Sequence, residues 1–484
     1  MDWINKRSLL VVVALVLLSV ARVAAQSRPN VILIIGDDIS RDDIGAYGRN
    51  PFVKTPNLDR LAREGFLFHH FFVTSSSCSP SRTSLLTGRY PHNTGAPELH
   101  LPLPATQVYF PELLRQNGYF TALLGKWHEG RNTRRAYDTL VAGVPANGEG
   151  GEEQWISVLE NRPKDKPFFL WLASFDAHRN WDDDSRFQHS PDSVLVPPTL
   201  VDAPSTRKDL AHYYNEIERL DFYVGRLYDA LASAHLLDNT YIVFLGDNGR
   251  PFPGDKTRIL DRGTNTPLIV RIPQQHVPAK SIDALVSGID IAPTILDWTG
   301  VASSERVQGR SFASLLLSAK RDFRNYIFTE HNWHDYQAYE RAVRTKDFLY
   351  IKNGLPALAN QGPLDAVNSP SFKDLLTGQK ENRLNHFQQD VFLAPRPSEE
   401  LYDVRNDSLQ QYNLAGKADY QRILKKLRSI LYQWQSETKD DFPATLTPDW
   451  YDRWHGDSLS TKGVRGIAPG FQSGGESTLD KGPF

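Results

Sequence analysis

The chain has 484 residues, 40% of them hydrophobic and 23% charged, an ordinary globular composition with room for one large α/β domain and a smaller one. Its 55 Lys and Arg against 57 Asp and Glu leave a formal net charge of −2, which excludes bulk electrostatic attraction to nucleic acid. The single cysteine, Cys78, excludes an internal disulfide framework.

In chain order, Lys6 and Arg7 precede the apolar run "LLVVVALVLLSV", and the small residues of "ARVAAQ" close it. This pattern predicts a secretory signal over residues 1–25, cleaved after Ala25, and the run is too short for a confident membrane span. The mature chain is expected to be exported, periplasmic or secreted, with no membrane span; a retained anchor is the alternative. One cysteine and one glycosylation sequon, at Asn406, fit a bacterial exported protein better than a lysosomal one.

Next, "RPNVILIIGDD" predicts a central strand over Val31 to Ile35, apolar on both faces and closed by acids. "TPNLDRLAREGFLF" predicts a helix with Leu58, Leu61 and Phe66 inward. "YFTALLGKWH", "PFFLWLASFDAH" and "TYIVFLGDNG" are three more strand-like runs, stopping at Lys126 and His128, at Asp176 and His178, and at Asp247 and Asn248. Helical segments between them, the longest starting at Asp209, give the alternation of a doubly wound α/β domain over residues 26–322. In such open sheets the ligand site lies at the carboxyl ends of the strands, where these polar residues stand.

From residue 323 the pattern changes. "NYIFTEHNW", "ERAVRTKDFLYIK" and "ELYDVRNDSLQQYNLA" predict antiparallel strands. "ADYQRILKKLRSILYQWQSE" then predicts a helix with Ile423, Leu424, Leu427, Ile430, Leu431 and Trp434 on one face. The expected organisation is a C-terminal antiparallel-sheet subdomain with a packed helix over 323–454 and an irregular tail over 455–484. No internal repeat is visible.

Asp37, Asp38, Asp247 and Asn248 offer only hard oxygen ligands at two strand ends, suited to Ca²⁺ or Mg²⁺. Either pair alone is better explained as a helix cap or turn; both together favour a metal. Lys126, His128, His178 and Lys256 add positive and proton-transferring groups at or just beyond strand ends. Arg82 stands four residues after Cys78, about one turn on in a helix beginning near Pro80. Metal, lysines and a helix N-terminus at one rim would trap a tetrahedral oxyanion.

"CSPSR" followed by "TSLLTGRYP" matches the type I sulfatase signature C-x-P-S-R-x-x-x-L-T-G. With "GDD" before it and "GKWH", Asp-Ala-His and "DNG" after it, in family order, the whole mature chain resembles the formylglycine-dependent sulfatases. "DNGRPFP", "PTILDW", "SPSFKDLL", "ELYDVRND" and "LYQWQSETKDD" make it most similar to the heparan N-sulfatase (sulfamidase) branch. The resemblance implies an alkaline-phosphatase-like fold, a large mixed, mostly parallel sheet flanked by helices. It implies that a maturation enzyme oxidises Cys78 to formylglycine, whose hydrate offers one hydroxyl to sulfur and uses the other to release sulfate.

By the same resemblance Asp37, Asp38, Asp247, Asn248 and the modified Cys78 bind one Ca²⁺. Arg82 holds the nucleophile, Lys126 and Lys256 clamp the sulfate, His178 is the acid for the leaving group and His128 the base. His100, His331 and Arg341 fall in segments that align with pocket-lining parts of the branch, and are expected to touch substrate. Three departures bear on this: Asp-Ala-His stands where Asp-Pro-His is commoner, Lys256 stands where the branch carries Arg, and "GKWH" is closer to the wider family. They leave the reaction class intact and weaken the inference to an N-linked sulfate. The expected substrate is an N-sulfoglucosamine-type saccharide end. The alternatives are an O-sulfated, ulvan-type polysaccharide fragment, a phosphoesterase of the same superfamily, or an inactive glycan-binding homologue.

Overall fold

The computed structural model describes residues 28–143, 150–181, 184–273, 280–317 and 322–484; the expected signal over 1–25 lies outside them. The strands in chain order are β1 (Asn30–Gly36), β2 (Phe66–Phe68), β3 (Phe71–Phe72), β4 (Phe120–Gly125), β5 (Thr139–Ala142), β6 (Phe168–Ala173) and β7 (Thr240–Gly246). They continue with β8 (Leu268–Arg271), β9 (Lys280–Ile282), β10 (Val286–Ser287), β11 (Ile327–His331), β12 (Glu340–Arg344), β13 (Phe348–Asn353) and β14 (Glu399–Asp403). The main sheet has the order β5-β4-β6-β1-β7-β8-β2-β9. From β5 to β7 every pairing is parallel, whereas β8 runs antiparallel to both β7 and β2.

The four apolar runs expected from the sequence are the four adjacent strands β4, β6, β1 and β7. Their register aligns Gly125 with Ala173, Ile35 with Ala173, and Gly36 with Gly246, so the residues that follow all leave the sheet at one rim. Alternate residues feed opposite layers, as a two-faced strand requires. Ile32, Ile34, Leu170 and Phe244 pack with Leu58 and Leu61 of helix α1 (Pro56–Arg63). Leu33, Ile35, Trp171 and Leu245 pack with Leu85 and Leu86 of α2 (Cys78–Thr87) and with Phe110 and Leu114 of α3 (Phe110–Gln116). The long helix α4 (Pro204–Ser233) covers the first face through Ile217, Leu220 and Val224, and α5 (Ile291–Thr299) the second through Ile295 and Leu296.

One expectation is corrected. Phe66 is buried, but it opens β2 and is not on α1, because the helix ends at Arg63. A Cβ at Gly65 would lie 2.3 Å from the Val270 carbonyl oxygen, so only glycine lets the chain turn against β8 there.

β11 to β14 form a separate antiparallel sheet in sequence order. Helix α6 (Gln421–Thr438) covers one face, with Leu424, Leu427, Leu431 and Trp434 against Phe328, Val343, Tyr350 and Leu401. Ile423 and Ile430 of the expected stripe are only half-buried at its edge. The other face presents Ala342, Leu349 and Ile351 to Ile259 and Leu260 of the segment after β7, so the two sheets share a core. The chain end returns to the larger layer, where buried Arg89 donates to the carbonyls of Gly475, Glu476 and Thr478. No helix among the described residues is long and apolar enough to cross a membrane.

Trp434 stacks on Phe328 with ring centroids 5.0 Å apart and is fully buried. Trp434→Ala is expected to cost about 3–5 kcal/mol and lower the urea unfolding midpoint. Tyr432→Ala, on the outer face of the same helix and 72% exposed, should change stability by less than about 0.5 kcal/mol.

Candidate active site

Helix α2 begins at Cys78 itself, two residues earlier than Pro80 suggested, after Ser77 in an extended conformation. Leu85 and Leu86 anchor it in the core, which turns Cys78 and Arg82, both fully buried, toward the strand rim. Arg82 donates through Nε to Asp247 Oδ2 at 2.8 Å, and its Nη2 lies 3.5 Å from Asp37 Oδ1. The Cys78 thiol donates to Asp38 Oδ1 at 3.6 Å. Asn248 Nδ2 donates to the same oxygen at 2.6 Å, and the Asp38 amide donates to Asp247 Oδ1 at 3.0 Å. All five proposed metal-site residues therefore meet at one point, from β1, β7 and α2.

These groups suit a hard cation. Asp37, Asp38, Asp247 and Asn248 are wholly buried, and Asp37 Oδ1 and Asn248 Oδ1 receive no hydrogen bond. Buried oxygens are rarely left so, and a divalent cation with oxygen preference would use them. One ligand atom each of Asp37, Asp38 and Cys78 lies within 4.8 Å of the others.

The electrostatics follow from crowding anions and cations away from water. Burial raises the carboxyl of Asp38 to about 6, with Lys256 opposing and Asp37 adding to the rise. Burial likewise raises Asp247 to about 6 against the pull of Arg82. Asp37 is equally buried, but Lys126 and Arg82 together outweigh desolvation and hold it well below the ordinary range. Burial pushes the Cys78 thiol well above its usual value despite Lys126 and Lys256. An unmodified Cys78 is thus a neutral thiol at pH 7, a poor nucleophile.

Around this core stand the other candidates. Lys126 Nζ donates to Asp37 Oδ2. Lys256 Nζ donates to Asp38 Oδ2 at 2.7 Å, and its loop is tied to the start of α2 by the Thr257 amide on the Ser76 carbonyl at 2.9 Å. His178 Nδ1 donates to the Arg179 carbonyl, which leaves Nε2 facing Asp38 Oδ2 at 3.9 Å. Burial first, then Lys256 and Lys126, lowers His178 to about 4. His128 Nε2 pairs with His100 Nδ1 at 2.8 Å while its buried Nδ1 has no partner. The His100 amide donates to Ser79 Oγ, so His100 belongs to the surroundings of α2.

The Asp-Ala-His departure has a consequence. The Ala177 amide donates to the Asp37 carbonyl at 2.6 Å, and the Asp37 amide donates to the Asp176 carbonyl at 2.7 Å. Proline at 177 could not supply the first bond. Asp176 is itself held by Arg219 of α4, with Nε on Oδ2 at 3.0 Å. The loop is laced to β1 without proline.

One expectation is corrected. Arg341 is completely buried, donating to both carboxylate oxygens of Asp440 at 2.7 and 2.8 Å and to Asn332 Oδ1 at 3.0 Å, over the ring of Tyr339. It ties the chain after α6 to the small sheet and does not reach the rim. His331 points its Nδ1 at Glu340 Oε2, 3.1 Å away, and lines a small cavity with Asn360, Gln361 and Arg396. That cavity reaches only Thr257 and His334 of the site's surroundings.

The structure also adds groups that sequence reasoning missed. Asp365 Oδ2 lies 3.1 Å from Lys256 Nζ and 3.6 Å from His178 Nε2. His334 Nδ1 bonds Ser77 Oγ at 2.6 Å, and Glu129 is buried close enough to Arg82 for the guanidinium to oppose the upward push of burial on its carboxyl. His334, three residues beyond His331, and Glu129, directly after His128, carried a signal in the sequence; Asp365 carried none.

A family model described as Sulfatase matches residues 29–149 and 152–301, and one described as N-sulphoglucosamine sulphohydrolase, C-terminal, matches residues 253–354. The chain is 31% identical over 477 residues to the N-sulphoglucosamine sulphohydrolase of Homo sapiens, covering 88% of this chain and 93% of that protein. It is 30% identical over 472 residues to an ulvan-active sulfatase of Formosa agariphila, covering 86% and 76%. A solved structure of a protein in complex with its substrate, D-glucosamine-2-N,6-O-disulfate, has the same fold, with a TM-score of 0.66 at 22% identity over 85% of this chain and 98% of that one.

The open oxygens of Asp37 and Asn248 generate a binding prediction. Ca²⁺ added to metal-stripped protein should raise Tm, because a ligand held only by the folded state stabilises it. Asp247→Asn should weaken Ca²⁺ affinity by at least about tenfold in calorimetry; an unchanged affinity would remove Asp247 from the ligand set.

Proposed function

The chain belongs to the sulfatase family and is a sulfuric ester or sulfamide hydrolase; we propose that it is an exported, calcium-dependent enzyme that removes sulfate from the end of a sulfated saccharide. The observation that carries this reading is the meeting of Cys78, at the start of α2, with four buried oxygen-bearing side chains and with the ammonium groups of Lys126 and Lys256. In this reading Ca²⁺ supplies a positive centre for a sulfate oxygen, and formylglycine at position 78 supplies a hydrated aldehyde as nucleophile.

The chain's own residues do the rest. Asp37, Asp38, Asp247 and Asn248 would hold the cation, and Lys126 and Lys256 would face the sulfate oxygens. Arg82, already fixed by Asp247 and Asp37, orients the side chain at position 78. His178 has its Nδ1 proton committed to the Arg179 carbonyl, so Nε2 is the atom that hands a proton to the leaving nitrogen or oxygen. Its low proton affinity is due to burial and the two lysines; an anionic sulfate between them offsets the lysines and lets His178 be protonated when substrate is bound. His128 presents its unpartnered Nδ1 as the proton acceptor for release of the sulfate.

We favour an N-sulfoglucosamine-type substrate, because the matched C-terminal family model and the relative of 31% identity both bear that name. An O-sulfated, ulvan-type substrate is the second reading, supported by the ulvan-active relative and by Lys256, a point charge where a forked guanidinium would favour one geometry. A two-metal phosphoesterase is disfavoured because the Lys256 ammonium occupies the space between Asp38 and Asp365 where a second cation would sit. An inactive glycan-binding role is disfavoured because Cys78, Lys126 and the metal-site oxygens are all present.

Mass spectrometry of the tryptic peptide spanning residues 64–82, from protein coexpressed with a formylglycine-generating enzyme, should show aldehyde in place of thiol. Active protein carrying only the thiol would overturn the mechanism. Cys78→Ala should abolish turnover. His178→Ala should lower kcat by about 10²–10⁴ on saccharide sulfates and by much less on an activated aryl sulfate. Direct comparison of N-sulfoglucosamine with 2-O-, 3-O- and 6-O-sulfated sugars decides between the two substrate readings.

A further inference from the structure

Asp365 is an anomaly in a site built to hold an anion. Its Oδ2 lies 3.1 Å from Nζ of Lys256, the proposed sulfate clamp, and 3.6 Å from Nε2 of His178, the proposed proton donor. Both distances place this oxygen on the leaving-group side of the sulfate. Its other oxygen, Oδ1, accepts the Ala366 amide at 2.8 Å, which fixes the carboxylate at the start of the short helix Leu364–Val367. The Asp365 side chain is 20% exposed, whereas those of Asp37, Asp38 and Asp247 are wholly buried, so Asp365 stands at the mouth, outside the Asp37, Asp38 and Cys78 cluster.

A fixed carboxylate beside an incoming sulfate repels it. As Lys256 turns toward the sulfate oxygens, Asp365 Oδ2 gives up its closest cation just as an anion approaches. Protonated His178, 3.6 Å away, makes up part of that loss, and a donor brought by the substrate makes up the rest. A hydrogen-bond donor borne on the sugar next to the sulfate would arrive there, between the clamp and the leaving atom.

We infer that Asp365 is a specificity determinant: its Oδ2 accepts a hydrogen bond from an N–H or O–H of the sugar vicinal to the sulfate, and so selects saccharide sulfates that carry such a donor. This rests on the reading of Lys256 as sulfate clamp and His178 as proton donor. It goes beyond that reading in assigning the neighbouring acid a partner on the substrate. A site built to pair a buried polar group with a substrate donor rejects the analogue that lacks it far more strongly than an apolar pocket rejects a missing methylene.

The test compares a saccharide sulfate turned over by the enzyme with its analogue in which the vicinal hydroxyl is replaced by hydrogen or methoxy. Binding of both is measured by calorimetry to full-length Cys78→Ala protein, which cannot turn either over, with and without Asp365→Asn. Turnover of both by the Cys78-intact, matured enzyme and its Asp365→Asn and Asp365→Ala forms is the second measurement, should the double variant not fold. The parent sugar should bind at least about tenfold more weakly when Asp365 is changed, while the analogue should change by less than about twofold, with the same split in kcat/KM. Equal losses on parent and analogue would overturn the inference and leave Asp365 as a positioning group for Lys256. Failure of the unchanged enzyme to bind or hydrolyse any sulfated saccharide would instead overturn the proposed function, and this inference with it.

Discussion

Three carboxylates, Asp37, Asp38 and Asp247, are wholly buried at one rim of the sheet, and the cations beside them make that tolerable. Burying such charges unpaired is prohibitively unfavourable, so each must meet a cation or a dense set of hydrogen bonds. Arg82 answers Asp247, Lys126 answers Asp37 and Lys256 answers Asp38, each cation arriving from a different segment of the chain. The same crowding leaves oxygens of Asp37 and Asn248 without donors. A divalent cation bound there would take over the anions and release the lysines, turning a neutralised cluster into a receptor for an oxyanion. Mutual neutralisation of the cluster and attraction of an oxyanion would thus be two uses of one set of charges.

The scaffold delivers these groups through register. β4, β6, β1 and β7 are parallel neighbours whose last residues align, so loops separated by as much as 210 positions, as between Asp38 and Asn248, leave the sheet side by side. Backbone bonds then lock the loops together. Asp37 exchanges bonds with Asp176 and Ala177, and Thr257 is tied to Ser76 at the head of α2. Rigid elements holding short loops give the precision that chemistry at a single sulfur atom requires.

The small sheet is more than an appendage. Its inner face shares a core with Ile259 and Leu260, three and four residues beyond Lys256, so packing of the sheet bears on the placement of that lysine. The same part of the chain sends His334 to Ser77 and Asp365 to Lys256. The buried network of Arg341, Asp440, Glu330 and His92 joins this layer to the larger one and accounts for an arginine that pocket alignment had assigned to substrate.

The sequence alone determined which residues meet at this rim. The strand runs were legible because strands buried on both faces are continuously apolar and end abruptly, and the polar residues after them marked the rim. Cys78 and Arg82 were legible because a helical turn and a long signature fix their spacing. What only tertiary structure decided was which polar groups beyond those strand ends belong to the site. Asp365 lies in a short helix with no local pattern, and His331 and Arg341 sit in the small sheet, where pairing register and burial choose between pocket and core. Those choices depend on contacts between residues far apart in the chain, which no local periodicity encodes.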